Sequence, residues 1–198
     1  MKVSEKKAKE NNRDYALRIL KENIINLELK PGSMISEQDI ANELNLSRTP
    51  VHEALQELST TKIIQILPQR GSYVSLIDLS LVDEAIFMRS TIEVAVAELA
   101  CDKASEQDLI SMEENLNLQK FFLEKQNIDK LFNLDDSFHK NLYKITNKLQ
   151  CYQMIKTMNI HLDRIRELHL QSTNPASVVD EHKQIFLALK NKDKSGVK

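Results

Sequence analysis

The stretch "LSRTPVHEAL", residues Leu46 to Leu55, decides how the first third of the chain folds. Val51, Ala54, Leu55 and then Leu58 recur at helical spacing, so one side of this segment can be buried. Arg48, Thr49, His52 and Gln56 share the opposite side. Such a helix packs its apolar back on its own domain and offers a row of hydrogen-bonding side chains to something polar. Ser47 or Thr49 supplies the N-cap, Pro50 is tolerated in the first turn, and the spacing predicts a helix to about Ser59.

The flanks give this helix a setting. Upstream, an amphipathic segment from about Arg13 to Leu29 places Ala16, Ile19, Leu20, Ile24 and Leu27 on one side, and Pro31 and Gly32 end it. Ser36 caps a short helix carrying Ile40, Ala41 and Leu44, and "NLS" is the turn into the quoted helix. Downstream, "IIQILPQRGSYVSL" holds two β-prone runs around "PQRG", a hairpin signal with Gly71 in the turn. Helix, helix, turn, helix, hairpin is the order of a winged helix-turn-helix, whose second helix enters the major groove. Arg48 sits near that helix's N-terminus and can bond guanine bidentately, with His52 and Gln56 as further polar readers. Arg70 at the hairpin tip can enter a neighbouring groove. The residues alone also fit a small helical subdomain whose exposed face is polar only because it is exposed.

The bulk numbers suit this picture. A chain of 198 residues, 41% hydrophobic and 28% charged, is long enough for one large domain or two modest ones. Three glycines and no tryptophan, beside abundant Leu, Ile, Lys and Glu, predict a mostly helical protein. No apolar run approaches the roughly 20 residues of a membrane span, and "MKVSEKKAKENNRDYA" lacks the apolar core of a signal peptide. A cytoplasmic location follows as the expectation, with Cys101 and Cys151 as free thiols. The net charge of −2 argues against a general nucleic-acid coat. Residues 1–75 hold 11 Lys and Arg against 10 Asp and Glu, so any basic footprint is local.

From Leu79 onward the texture changes to long helical periodicity. Helices are predicted at about 80–103, 105–126, 127–146, 149–171 and 176–191, the last started by Pro175 and Ser177. The domains expected are a DNA-binding one at 1–77 and a helical one at 78–198. In the helix near 127–146 the stripe Ile128, Leu131, Phe132, Phe138, Leu142, Ile145 is interrupted by Asp135 and His139. These lie one turn apart on one face. His182 falls within the stripe Val178, Val179, Ile185, Phe186, Leu189 of the last helix, and Arg89 interrupts Ala85, Ile92, Val96.

Buried ionisable groups are costly unless they are paired or bind a metal. Asp135, His139 and His182 offer one carboxylate and two imidazoles, a set suited to zinc, with nickel or manganese as alternatives. Arg89 could hold an anionic ligand beside the ion. The competing reading is a satisfied Asp–His pair and an unrelated core histidine. His161 and His169 are expected at the surface or a pocket rim, and Asp136 in solvent.

Four segments carry a resemblance. "KPGSMISEQDIANELNLSRTPVHEALQELSTTKIIQILPQRGSYV" (30–74) is similar throughout to the winged helix-turn-helix of the GntR family of bacterial transcription regulators. "FMRSTIEVAVAELA" (87–100), "LDDSFHKNLYKITN" (134–147) and "DEHKQIFLAL" (180–189) resemble the all-helical FCD effector domain of its FadR-like branch. The resemblance implies DNA contacts from Arg48 and from the wing around Arg70 and Gly71. Ser47, Thr49, His52 and Gln56 complete the candidate DNA-binding set. It also implies metal ligation by Asp135, His139 and His182, and an effector carboxylate at Arg89. The family usually has arginine where this chain has His52, which makes that contact weaker or pH-sensitive. The family's domain ends in a further helix with another histidine ligand, which the resemblance places after Lys198.

The expected protein is mostly α: a winged helix-turn-helix followed by an antiparallel helical bundle. It acts as a homodimer on a double-stranded, inverted-repeat operator, and a small carboxylate bound at the metal shifts its affinity. No general base or nucleophile stands beside the candidate ligands, so an enzyme is the rival and not the reading adopted. A DNA-binding protein whose bundle only dimerises is the second alternative.

Overall fold

Each of the first three helices begins and ends where its own residues dictate. The computed structural model describes the backbone of residues 1–172 and 176–197, and the side chains of 1–168 and 176–197. Helix α1 (Asn12–Ile25) starts at Asn11, whose side chain accepts from Asp14 N. It stops four residues short of Leu29, because Leu27 adopts a left-handed conformation (φ 60°). Ser36 caps α2 (Glu37–Leu44) as expected, and Asn45 closes it in the left-handed region (φ 54°). Ser47 is the N-cap of α3 (Arg48–Thr60), although its side chain makes no capping hydrogen bond.

The hairpin pairs β2 (Ile64–Leu67) with β3 (Gly71–Val74) through a three-residue tip. Gly71 stands at φ 101°, a conformation that side chains rarely adopt, and a Cβ there would meet nothing within 4 Å. Its glycine is required by backbone geometry and not by space. A short strand β1 (Met34–Ile35), absent from the expected elements, adds to β3 and gives the antiparallel order β1-β3-β2. Ala16, Ile19, Leu20 and Ile24 of α1 meet Val51, Ala54, Leu55 and Leu58 of α3 in one core, closed by Ile64 and Val74 of the sheet.

The remainder is helical: α4 (Leu79–Lys103), α5 (Glu106–Glu124), α6 (Ile128–Ile145), α7 (Leu149–Met158), α8 (Ile160–Ser172) and α9 (Ala176–Lys190). Ser105 and Asp108 form a reciprocal capping box at the start of α5. Val96, Met112, Leu116, Phe138, Leu142, Tyr143, Phe186 and Leu189 make a second core.

The chain forms two compact units, Met1–Asp83 with Thr157–Glu167, and Glu84–Lys156 with Leu168–Lys198. This division explains a difference from the expected single helix over 149–171. That span is two helices with Asn159 between them. Tyr152 and Ile155 of α7 belong to the second core, whereas Ile160 of α8 belongs to the first. No proline or glycine marks the change, so spacing alone reads straight through it.

His161, expected at a surface or rim, is 3% exposed. Its Nδ1 accepts from the Asp78 backbone N–H at 3.2 Å. Arg164, one turn on, is fully buried and donates to the Ser75 carbonyl at 2.8 Å. The expectations for His169 and Pro175 lie outside the described side chains. Asp136 is not in free solvent either. It accepts from the Tyr152 hydroxyl at 2.7 Å and pairs with Lys156 at 3.0 Å.

Candidate metal centre and nucleic-acid interface

Helix α3 divides as its sequence requires. Val51, Ala54 and Leu55 are fully buried, while Ser47, Arg48, Thr49, His52 and Gln56 are exposed. The front is organised by a residue that spacing did not single out, Glu37 in the first turn of α2. Its carboxylate accepts from Arg48 Nη2 at 3.2 Å and stands 2.8 Å from His52 Nδ1. The His52 hydrogen bond, and behind it the Arg48 guanidinium, hold the Glu37 carboxyl below its usual range against the opposing effect of burial. Arg48 keeps 65% of its side chain exposed, so Glu37 orients the guanidinium without covering it. Arg70 and Gly71 are exposed at the hairpin tip, and the Arg70 carbonyl accepts from the Tyr73 hydroxyl at 3.0 Å.

The second unit brings together the three polar residues that interrupt apolar stripes. Asp135 and His139 share a face of α6, and His182 reaches them from α9. His139 Nε2 and His182 Nε2 lie 3.3 Å apart. Asp135 Oδ1 is 3.5 Å from His182 Nε2 and 3.9 Å from His139 Nε2. One donor atom from each residue falls within 4.8 Å of the others. Phe138 stacks on the His182 ring at 4.3 Å and meets the His139 ring edge-on, which fixes both planes.

These spacings suit a divalent ion. Zinc–imidazole bonds of about 2.0–2.1 Å at a tetrahedral angle leave the two nitrogens about 3.3 Å apart. The outer nitrogens of both rings face acceptors on other helices: His182 Nδ1 lies 2.8 Å from Gln119 Oε1 in a hydrogen bond, and His139 Nδ1 stands 3.0 Å from Glu93 Oε2 without aligning to one. A carboxylate and an amide oxygen only accept, so the form of each ring that suits these neighbours carries its proton on Nδ1 and turns an Nε2 lone pair inward. With both protons on Nδ1, two lone pairs and a carboxylate face one another, an arrangement that suits a cation.

Arg89 lies on the same network. Its Nε donates to Glu93 Oε1 at 3.0 Å, and its terminal nitrogens make no hydrogen bond among the described residues. Burial would raise the Glu93 carboxyl, but its contact with the His139 imidazole and, behind it, the Arg89 guanidinium prevail and hold it well below the usual carboxylate range. Glu93 follows Arg89 by one helical turn, a spacing that could have revealed the pair. Asn115 and Gln119 also escaped notice, although they break the buried stripe of Met112 and Leu116 as plainly as His182 breaks its own. An open cavity of about 680 Å³ is lined by residues of the first unit, including Lys62, Tyr73, Asp78 and His161, and by none of the candidate ligands.

Comparison with known proteins follows the same division. Residues 14–74 match the model for bacterial regulatory proteins of the gntR family, and residues 84–198 match the FCD domain. The HTH-type transcriptional repressor RspR of Escherichia coli K12 is 35% identical over 181 residues, covering 91% of this chain and 79% of its own. The HTH-type transcriptional regulator McbR of the same strain is 26% identical over 171 residues. Its solved structure, E. coli McbR/YncC, superposes with a TM-score of 0.80 at 25% identity, covering 94% of this chain and 90% of that one. A GntR regulator from Rhodococcus sp. RHA1 shares the fold, with a TM-score of 0.76.

Proposed function

The chain belongs to the GntR family of bacterial regulatory proteins and carries an FCD domain, and from that membership we propose that a small carboxylate, bound at a divalent metal in the helical unit, sets its affinity for DNA. It is a transcription regulator and not an enzyme. The observation that carries the reading is the convergence of Asp135, His139 and His182, with the two Nε2 atoms turned toward one another.

Zinc is the first candidate, nickel and manganese the next, since imidazole and carboxylate suit all three. When bound, the ion supplies a Lewis-acidic point of attachment for one carboxylate oxygen. Three protein ligands leave positions for it. Arg89 steers the acid with the terminal nitrogens that Glu93 leaves over, and Glu93 keeps His139 in its ligating tautomer.

On the DNA side, Arg48 reads a base edge, with His52 and Gln56 beside it and Ser47 and Thr49 meeting phosphate at the helix start. Arg70 and Gly71 carry the wing into an adjacent groove. A homodimer presents two such faces to an inverted-repeat operator, and exposed Ile86 and Phe87 on α4 offer apolar surface for a symmetric contact. We place this protein in the cytoplasm. No helix among the described residues is long and apolar enough to cross a membrane.

Elemental analysis of the purified protein, paired with operator binding over a panel of di- and tricarboxylates, tests this. Metal should be present, and Asp135→Ala should abolish the response to the acid while leaving basal operator binding intact. A metal-free protein, or a carboxylate response that survives in Asp135→Ala, overturns the metal reading and leaves the polar core a structural one.

A further inference from the structure

The buried face of α5 poses a question that the ligands do not answer. Asn115 is 8% exposed and Gln119 1% exposed, at positions where Met112 and Leu116 predict hydrophobes. Burying an amide costs a few kcal/mol unless its groups find partners. Both do, in a single file. Asn115 Nδ2 donates to the Leu134 carbonyl at 3.1 Å, Gln119 Nε2 donates to Asn115 Oδ1 at 2.6 Å, and Gln119 Oε1 meets His182 Nδ1 at 2.8 Å.

We propose that Asn115 and Gln119 are positioning residues that transmit the polarity of the Leu134 carbonyl to His182 and lock it in the tautomer whose Nε2 faces the metal position. The direction of the file follows from its first member. A backbone carbonyl only accepts, so Asn115 must turn its NH2 toward Leu134 and its oxygen toward Gln119. Gln119 must then give its NH2 to Asn115, which leaves only its oxygen for His182. An oxygen there demands a proton on Nδ1. Reversing any amide would set oxygen against oxygen or N–H against N–H in a buried site, a penalty paid at every later link.

The imidazole of histidine in water prefers its proton on Nε2, the form that cannot ligate through that atom. The file opposes this preference before any ion arrives. Leu134 immediately precedes Asp135, so the carbonyl that starts the file and the carboxylate ligand come from the same turn of α6. Tautomer and ligand position are set by one piece of backbone. This inference rests on the proposed metal site for its purpose, but the tautomer itself is a property of the metal-free protein.

Long-range ¹⁵N–¹H correlation of the histidine rings, recorded on the full metal-free chain well above the histidine titration range, reads the tautomer directly. Wild-type His182 should show the Nδ1–H pattern. Gln119→Leu should release it toward Nε2–H and weaken zinc binding by about 10- to 100-fold. Gln119→Glu combined with Asn115→Leu retains an acceptor for Nδ1–H without setting oxygen against oxygen at the Asn115 link, and should keep the Nδ1–H pattern. A wild-type His182 in the Nε2–H form overturns the proposal even if no variant folds, and so does Gln119→Leu with tautomer and zinc affinity unchanged. A wild-type chain in the Nδ1–H form that takes up no zinc upholds the file and instead sinks the metal reading.

Discussion

Arg48 shows how one side chain is prepared for the base-reading task proposed for it. Its guanidinium is held at one nitrogen by Glu37 and left open at the rest, so less rotamer freedom is lost when it meets a base. Removing it should cost about 1–3 kcal/mol of discrimination at one base pair. Arg48→Ala, titrated at fixed salt against an operator selected from a random duplex pool and against single-base variants, should bind more weakly and stop distinguishing that position. Unchanged affinity and unchanged discrimination would remove Arg48 from the base-reading role. Glu37 was not singled out in the sequence because an acid in the first turn of a helix already has an ordinary explanation in the helix dipole. Only the approach of α3 reveals its second duty. The same holds for Glu93, which serves Arg89 along its own helix and His139 across to another.

Helix α8 carries the element-scale lesson. Its first turn is buried in the core of the DNA-binding unit, with His161 beside the charge of Arg164. Burial first, and the Arg164 guanidinium second, push the His161 imidazole below its ordinary value. A lowered value in the folded state means that the unfolded chain takes up the proton more readily. The stabilisation is therefore complete above the ordinary histidine value of about 6.5 and is lost as pH falls through it toward the folded value. His161→Phe retains the ring volume and removes the titration. Denaturant midpoints measured across mildly acidic pH should fall less steeply for this variant than for wild type. Parallel curves would show that His161 contributes nothing to the acid sensitivity.

At the scale of the whole molecule, two cores divide the work. The proposed recognition helix and wing rest on the first, and the three candidate ligands lie on helices that build the second. An ion that binds only the folded state stabilises it by mass action, by about 2.7 kcal/mol at a hundredfold excess over its dissociation constant. Zinc should accordingly raise the thermal midpoint in proportion to the logarithm of its concentration. Hydrogen exchange should slow most in α6 and α9, which carry the candidate ligands. Asp135→Ala should lose both effects. A midpoint indifferent to zinc in the wild-type protein would contradict the proposed site.

What the sequence determined by itself is whatever repeats along one chain direction. Helical spacing placed α3 and its two faces, the cap Ser36 sits where its helix begins, and Gly71 follows the hairpin tip with a backbone angle that needs glycine. The stripe-breaking Asp135, His139 and His182 were legible for the same reason, because burial of a polar residue is visible against a periodic background. Tertiary structure alone decided what crosses between elements: the grip of Glu37 on Arg48, the contact of Glu93 with His139, and the amide file from Leu134 to His182. It also decided that one long apolar pattern after Leu149 becomes two helices serving different cores. A side chain's partner on another helix leaves no trace in local spacing, since hydrogen-bond direction and helix breaks of this kind are set by neighbours far away in the chain.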